Sequence, residues 1–151
     1  PAFLAGDDDN VCLMDVLNKT VFQIIANGTI LSPPVIAATG FGAPEGIALR
    51  GETLLVVDGG RETLEEVDLI SGEVQTIATD LGFFLGIPGL AFGFANDVVV
   101  DHSGAVYVNG DRANVIYKFP SENQGTSMAD PTVFRPLFSI LAAVSMAFFV
   151  G

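Results

Sequence analysis

Residues 95–119 read ANDVVVDHSGAVYVNGDRANVIYKF. Apolar and polar residues alternate, break at His102-Ser103-Gly104, alternate again, break at Gly110-Asp111-Arg112, and run out through Val115-Ile116-Tyr117. That pattern predicts three short antiparallel strands joined by tight turns, a β-meander. Moved back by 51 residues without a gap, residues 44–68 lie over the same pattern: Ile47 on Val98, Leu55 on Val106, Val57 on Val108, Asp58 on Asn109, Arg61 on Arg112 and Leu64 on Val115. Self-similarity at a period of about 40 to 50 residues, with strands inside each unit, signals a propeller or another β-repeat array.

The first forty residues carry the pattern once more, displaced by 43. Met14-Asp15 fall on Val57-Asp58, Thr20-Val21 on Thr63-Leu64 and Ile24 on Val67, and the Asn27-Gly28 turn matches Ser71-Gly72 with one residue of slack. Asp7-Asp8-Asp9-Asn10 then becomes a loop between two strands, where the second unit has Arg50-Gly51-Glu52-Thr53. The acidic run resembles a fragment of a calcium loop but lacks the Gly and distal Glu of an EF-hand, so a solvated hairpin tip is expected. Strands in the second unit are predicted near 46–49, 54–58, 64–68 and 74–79, after the breaks at Pro33-Pro34 and Gly40-Phe41-Gly42. The expected fold is all-β, with three four-stranded propeller-like blades in residues 1–130 (units about 1–40, 44–80 and 95–130) and a C-terminal apolar helical segment over 131–151.

Composition agrees. Half of the 151 residues are apolar, charged residues are only 16%, and 17 Gly and 8 Pro suit short strands and many turns rather than a disordered chain. The net charge of −12 repels phosphate backbones, so nucleic acid is not an expected partner. Cys12 is the single cysteine, which excludes an internal disulfide and a cysteine-rich metal cluster, and its apolar surroundings predict a buried small side chain. A start at Pro1 rather than Met is expected of a processed or partial chain. Two sequons, at Asn18 and Asn27, become glycosylation sites if the chain enters a secretory pathway.

Residues 81–94 are apolar and punctuated by glycine, a loop expected to lie against a neighbouring blade, a partner or lipid. Residues 120–131 read as a polar linker. Residues 136–150 are apolar apart from Ser139 and Ser145. As a helix they extend about 22 Å, short of a ~30 Å bilayer core, whereas 131–151 reach about 31 Å with Arg135 placed to snorkel. Membrane contact through 136–150, burial in a partner, and docking on the chain's own core are the alternatives.

The unit Pro44-Glu45-Gly46-Ile47-Ala48, followed by Leu54–Asp58, Leu64–Asp68 and Ser71-Gly72-Glu73-Val74, resembles NHL-type propeller repeats and the gluconolactonase, strictosidine synthase-like and paraoxonase-like superfamily. Asn96-Asp97 with Asp101, Gly104 and Tyr107 is similar to a segment of the same proteins. The resemblance implies that Glu and Asn or Asp residues at the axial ends of inner strands hold a divalent cation, usually calcium. Glu45 and Asn96 match those positions, while Ala2 stands at the third. Two ligands fall short of the six or more oxygens calcium takes, so the alternative is that both residues order the start of their strands. His102 falls at a hairpin tip away from the axis and is not expected to be catalytic. Asp58 with Asn109, and Arg61 with Arg112, read as repeated structural hydrogen-bonding residues. No nucleophile elbow, phosphate loop, HExxH or CxxC is present.

Three blades do not close a ring, because each blade must bury an apolar face against the next. The sequence therefore predicts a non-catalytic accessory or scaffolding subunit of a larger membrane-associated assembly. It would sit on the non-cytoplasmic side, with other protein subunits or a second copy as partners. The alternatives are half of a calcium-dependent lactonase- or esterase-like propeller, and an extracellular repeat-type binding module.

Overall fold

The computed structural model describes residues 2–83, 96–110, 114–121 and 132–134. They form twelve strands: β1 (Ala2–Gly6), β2 (Val11–Asp15), β3 (Thr20–Ala26), β4 (Thr29–Thr39), β5 (Pro44–Arg50), β6 (Thr53–Asp58), β7 (Thr63–Asp68), β8 (Val74–Ala78), β9 (Val98–Val100), β10 (Val106–Gly110), β11 (Val115–Phe119) and β12 (Thr132–Phe134). These make three antiparallel four-stranded sheets, β1–β4, β5–β8 and β9–β12, each with its strands in sequence order. We call them blades 1, 2 and 3. Among the described residues there is no helix. The first strands lie side by side, β1 next to β5 and β5 next to β9, so they form the inner edge from which the blades fan out.

Turn chemistry sets the hairpins. Asn27 (φ 49°) and Gly28 (φ 70°) both adopt the left-handed conformation, and Ala26 pairs directly with Thr29, a two-residue loop of the Asn-Gly kind. Asp15, Asp68 and Asp101 each accept two or more backbone N–H groups of the turn that follows, as Asx turns do. Asp7 does the same for Asp9 and Asn10, so the acidic run is the β1–β2 hairpin loop that its composition predicts.

Two cores lie between the blades. Cys12, Met14, Val21 and Ala38 of blade 1 pack with Ile47, Leu54, Val56 and Val67 of blade 2. Leu55, Val57 and Leu64 of blade 2 pack with Val98, Val106, Val108 and Phe119 of blade 3, joined by Leu81 and Phe83. Leu54-Leu55-Val56-Val57 is an unbroken apolar run because the middle blade is covered on both faces. Leu54 and Val56 point to one neighbour, Leu55 and Val57 to the other. β2 and β10, at the ends of the array, alternate instead (Cys12 and Met14 buried, Leu13 half-buried; Val106 and Val108 buried, Tyr107 half-buried).

The pairing corrects the gapless 51-residue alignment. Ile47 faces Val56 in blade 2 and Val98 faces Val108 in blade 3, so β9 is displaced from β5 by 51 residues but β10 from β6 by 52. The displacement of 52 persists into β11, where Val108 faces Tyr117 as Val56 faces Glu65. Blade 3 holds the extra residue in its Asp101–Ala105 turn. A one-residue slip moves every side chain to the opposite face. The structural equivalents are therefore Leu54 with Val106, Val56 with Val108 and Val57 with Asn109. The 43-residue relation of blade 1 to blade 2 holds through the first three strands: Leu4 faces Leu13 and Leu13 faces Phe22, as Ile47 faces Val56 and Val56 faces Glu65.

Two boundaries also move. Pro33 and Pro34 lie inside β4, in the stretch between Ile30 and Val35 that leaves the ladder, on an edge strand where a missing N–H costs little. Thr132–Phe134, assigned from sequence to the C-terminal helix, pair with Ile116–Lys118 as the outer strand of blade 3. The rest of the apolar tail and most of the glycine-punctuated loop fall outside the described residues, as does Arg112. The part of that loop which is described, Leu81 to Phe83, is buried in the second core.

Candidate functional site: the Glu45–Asn96 rim

Glu45, in β5, and Asn96, just before β9, meet where the inner strands of blades 2 and 3 begin. Both are buried. Glu45 Oε2 accepts the Asn96 backbone N–H at 3.0 Å and its side-chain Nδ2–H at 2.6 Å. Gly59 passes over the other carboxylate oxygen so closely that a Cβ there would stand 2.4 Å from Oε1. Gly46 is held as tightly, its missing Cβ 2.7 Å from the Asp97 Cα. The carboxylate thus stitches blade 2 to blade 3, and two glycines let the chains approach it.

Further polar side chains gather at the same rim. Asp58, fully buried at the end of β6, accepts N–H groups from Gly42 (2.6 Å), Ala43 (2.8 Å) and Gly60 (3.1 Å), with Arg61 Nη1 at 3.5 Å. It therefore fixes the connection that leads from blade 1 into blade 2. Asn109 Oδ1 accepts the Asp97 N–H at 2.6 Å in blade 3. Sequence pairing made Asp58 and Asn109 equivalent. They sit one position apart in the register, yet both clamp the backbone at the start of their blade's first strand. Buried Glu65 was passed over in the sequence because it reads as a solvated strand residue. Its two oxygens accept the hydroxyls of Thr63 and Thr76, each at 2.7 Å. Thr63, two residues before Glu65 and on the same face of β7, was the available signal.

The arrangement supplies oxygen ligands but uses them on protein donors. Among the described residues no three His, Cys, Asp or Glu side chains come close enough together to hold a metal ion. His102 is exposed in the β9–β10 turn, at the other end of β9 from Asn96. Asn18 and Asn27 are both exposed, in the turns flanking β3, and Asn18 Nδ2 donates to Asp15 at 2.7 Å. Cys12 is buried, and burial with Asp7 nearby raises its thiol to about 11, so it stays a neutral hydrophobe. The Ser103 hydroxyl and backbone hold Asp101 down to about 2, with Ala105 N–H and the Tyr107 hydroxyl assisting.

Sheet number, strand order and blade-to-blade packing define a propeller-like array. Solved structures agree. The chain is similar to virginiamycin B lyase from Staphylococcus aureus, with TM-score 0.58 and 16% identity over 91% of this chain and 41% of that one. A streptogramin B lyase gives TM-score 0.60 at 9% identity, again over 91% and 41%. The catalytically inactive Staphylococcus aureus lyase with quinupristin gives 0.55 at 16%, over 88% and 40%. At these identities the likeness is one of fold, and the chain spans about two fifths of the length of these propellers. No protein-family model and no curated protein sequence matches the chain.

Proposed function

We propose that this chain is a structural blade array whose task is association: a non-catalytic accessory or scaffolding element of a larger, membrane-associated assembly. One observation carries the reading. Among the described residues, both terminal blades present exposed apolar side chains, Leu4 and Ile36 beside half-buried Leu13 on one and Val99 and Ile116 on the other. Exposed apolar side chains grouped on one blade face are association surfaces. The polar rim supports the same reading, since Glu45 ties blade 2 to blade 3 and Asp58 holds the connection from blade 1 into blade 2. The NHL- and gluconolactonase-type affinity belongs to this proposal too, carried by the residues around Glu45 and Asn96. So does a non-cytoplasmic location, with residues 136–150 as membrane or partner anchor. Among the described residues no helix is long and apolar enough to cross a membrane.

The hydrolase reading draws on the meeting of Glu45 and Asn96 at the inner strands and on the enzymes among the structural neighbours. A calcium titration followed by calorimetry and thermal unfolding separates the two. The scaffold reading expects no binding heat and an unchanged unfolding midpoint. Calcium binding that vanishes in Glu45→Gln, together with lactone or ester turnover, would replace it with the hydrolase.

A further inference from the structure

The outer face of blade 1 carries an apolar row across all four strands. Leu4 faces Leu13, Leu13 faces Phe22 and Phe22 faces Ile36. Register gives each member an equivalent in the other blades. The row is Ile47, Val56, Glu65 and Thr76 in blade 2, and Val98, Val108, Tyr117 and Val133 in blade 3. In those blades the inner members of the row, Ile47 with Val56 and Val98 with Val108, turn toward the preceding blade, while Thr76 and Val133 at the outer edge stay exposed. Ile47 is 7% exposed and Val98 5%, whereas their equivalent Leu4 is 64% exposed. Blade 1 therefore has the half of an interface that the chain completes twice elsewhere.

Blade 3 has the other half. Its outward positions correspond to those by which blade 2 covers blade 3: Val99 to Ala48, Tyr107 to Leu55, Asn109 to Val57 and Ile116 to Leu64. Val99 is 60% exposed and Ile116 44%. These side chains line a shallow open hollow with Asp97 and Val98, a shape suited to a projecting row.

We propose that a second copy of this chain docks head to tail, seating the outer face of its blade 3 on the Leu4–Leu13–Phe22–Ile36 row of blade 1. The proposal rests on the association reading above and names its surfaces. It extends an interface already present between blades 1 and 2 and between blades 2 and 3. Two copies of the described array bring six blades together, a number within the range found in propellers. Such a contact is heterologous, using different patches on the two copies. At a net charge of −12 the copies repel at range, so added salt strengthens the contact.

Leu4→Lys and Val99→Lys change exposed side chains and leave the folded chain intact, which circular dichroism verifies. In sedimentation equilibrium each variant alone is expected to run as a monomer, because each lacks one half of the contact. An equimolar mixture of the two is expected to recover a dimer through the one intact pair of faces. If Val99→Lys alone still dimerises, the contact uses blade 1 against blade 1 and the head-to-tail proposal is overturned. If the wild-type chain associates but neither variant alters its mass, association stands and these faces are the wrong ones. A monomeric wild-type chain removes both the proposal and the reading beneath it.

Discussion

Replacing Glu45 by Ala tests whether the axial carboxylate is mortar or ligand. The change deletes the acceptor of two N–H groups of Asn96, at 3.0 and 2.6 Å, inside a buried junction. A hydrogen bond to a charged group contributes about 1.5–3 kcal/mol, so the pair amounts to about 3–5 kcal/mol once shared at one oxygen. That is a large part of a total stability of about 5–15 kcal/mol. Glu45→Gln keeps an oxygen where Oε2 lies and costs only about 1 kcal/mol. Urea unfolding followed by far-ultraviolet circular dichroism reads both. With a slope of about 2 kcal/mol per molar, the Ala midpoint falls by about 2 M and the Gln midpoint by about 0.5 M. Both shifts are expected to be the same with calcium and with chelator. An Ala variant within about 1 kcal/mol of the parent would show that these bonds do not hold the junction. So would a loss that appears only in the presence of calcium.

Gly59→Ala forces a Cβ against Glu45 Oε1 and is expected to cost about 1–3 kcal/mol in the same assay. Val56→Ala opens a void in a fully buried position and costs about 2–3 kcal/mol, while Leu4→Ala, at the equivalent row in blade 1, stays within about 0.5 kcal/mol in the monomer. Asp101 is held at about 2, so its ionised form is favoured by the fold. Its contribution is present above the usual value of 3.8 and is lost as pH falls toward about 2. Carboxyl titration by NMR should show Ser103→Ala returning Asp101 toward the ordinary range. The Cys12 thiol, raised to about 11, should resist alkylation at pH 8 in the folded chain and react promptly in urea.

The blades were legible because period-2 alternation and turn residues are local. The middle blade was found within a residue or two of its observed strands. What local reading missed was register in blade 3. Val106 and Val108 can be laid over Leu55 and Val57 or over Leu54 and Val56, because β6 is apolar on both faces and gives alternation nothing to grip. Only pairing through the longer Asp101–Ala105 turn decides. Thr132–Phe134 was missed as a strand because a three-residue edge strand beside a long apolar tail carries almost no periodic signal of its own. That Glu45 and Asn96 stand at matching positions of adjacent units followed from the repeat; that they bond to each other did not. Sequence cannot tell whether a carboxylate at a strand start faces an ion or two N–H groups. The role of Asp58 as a clamp on Gly42 and Ala43 was likewise visible only once the inter-blade connection had a path.

The exposed apolar side chains of blades 1 and 3 are proposed to be covered by a partner or a second copy. The mass of the folded wild-type chain in solution, by sedimentation equilibrium at moderate salt, tests that proposal most directly. A mass of at least twice the 15.8 kDa protomer, dissociating on dilution, is expected. A folded chain that holds the protomer mass at every concentration and binds no apolar dye would contradict it.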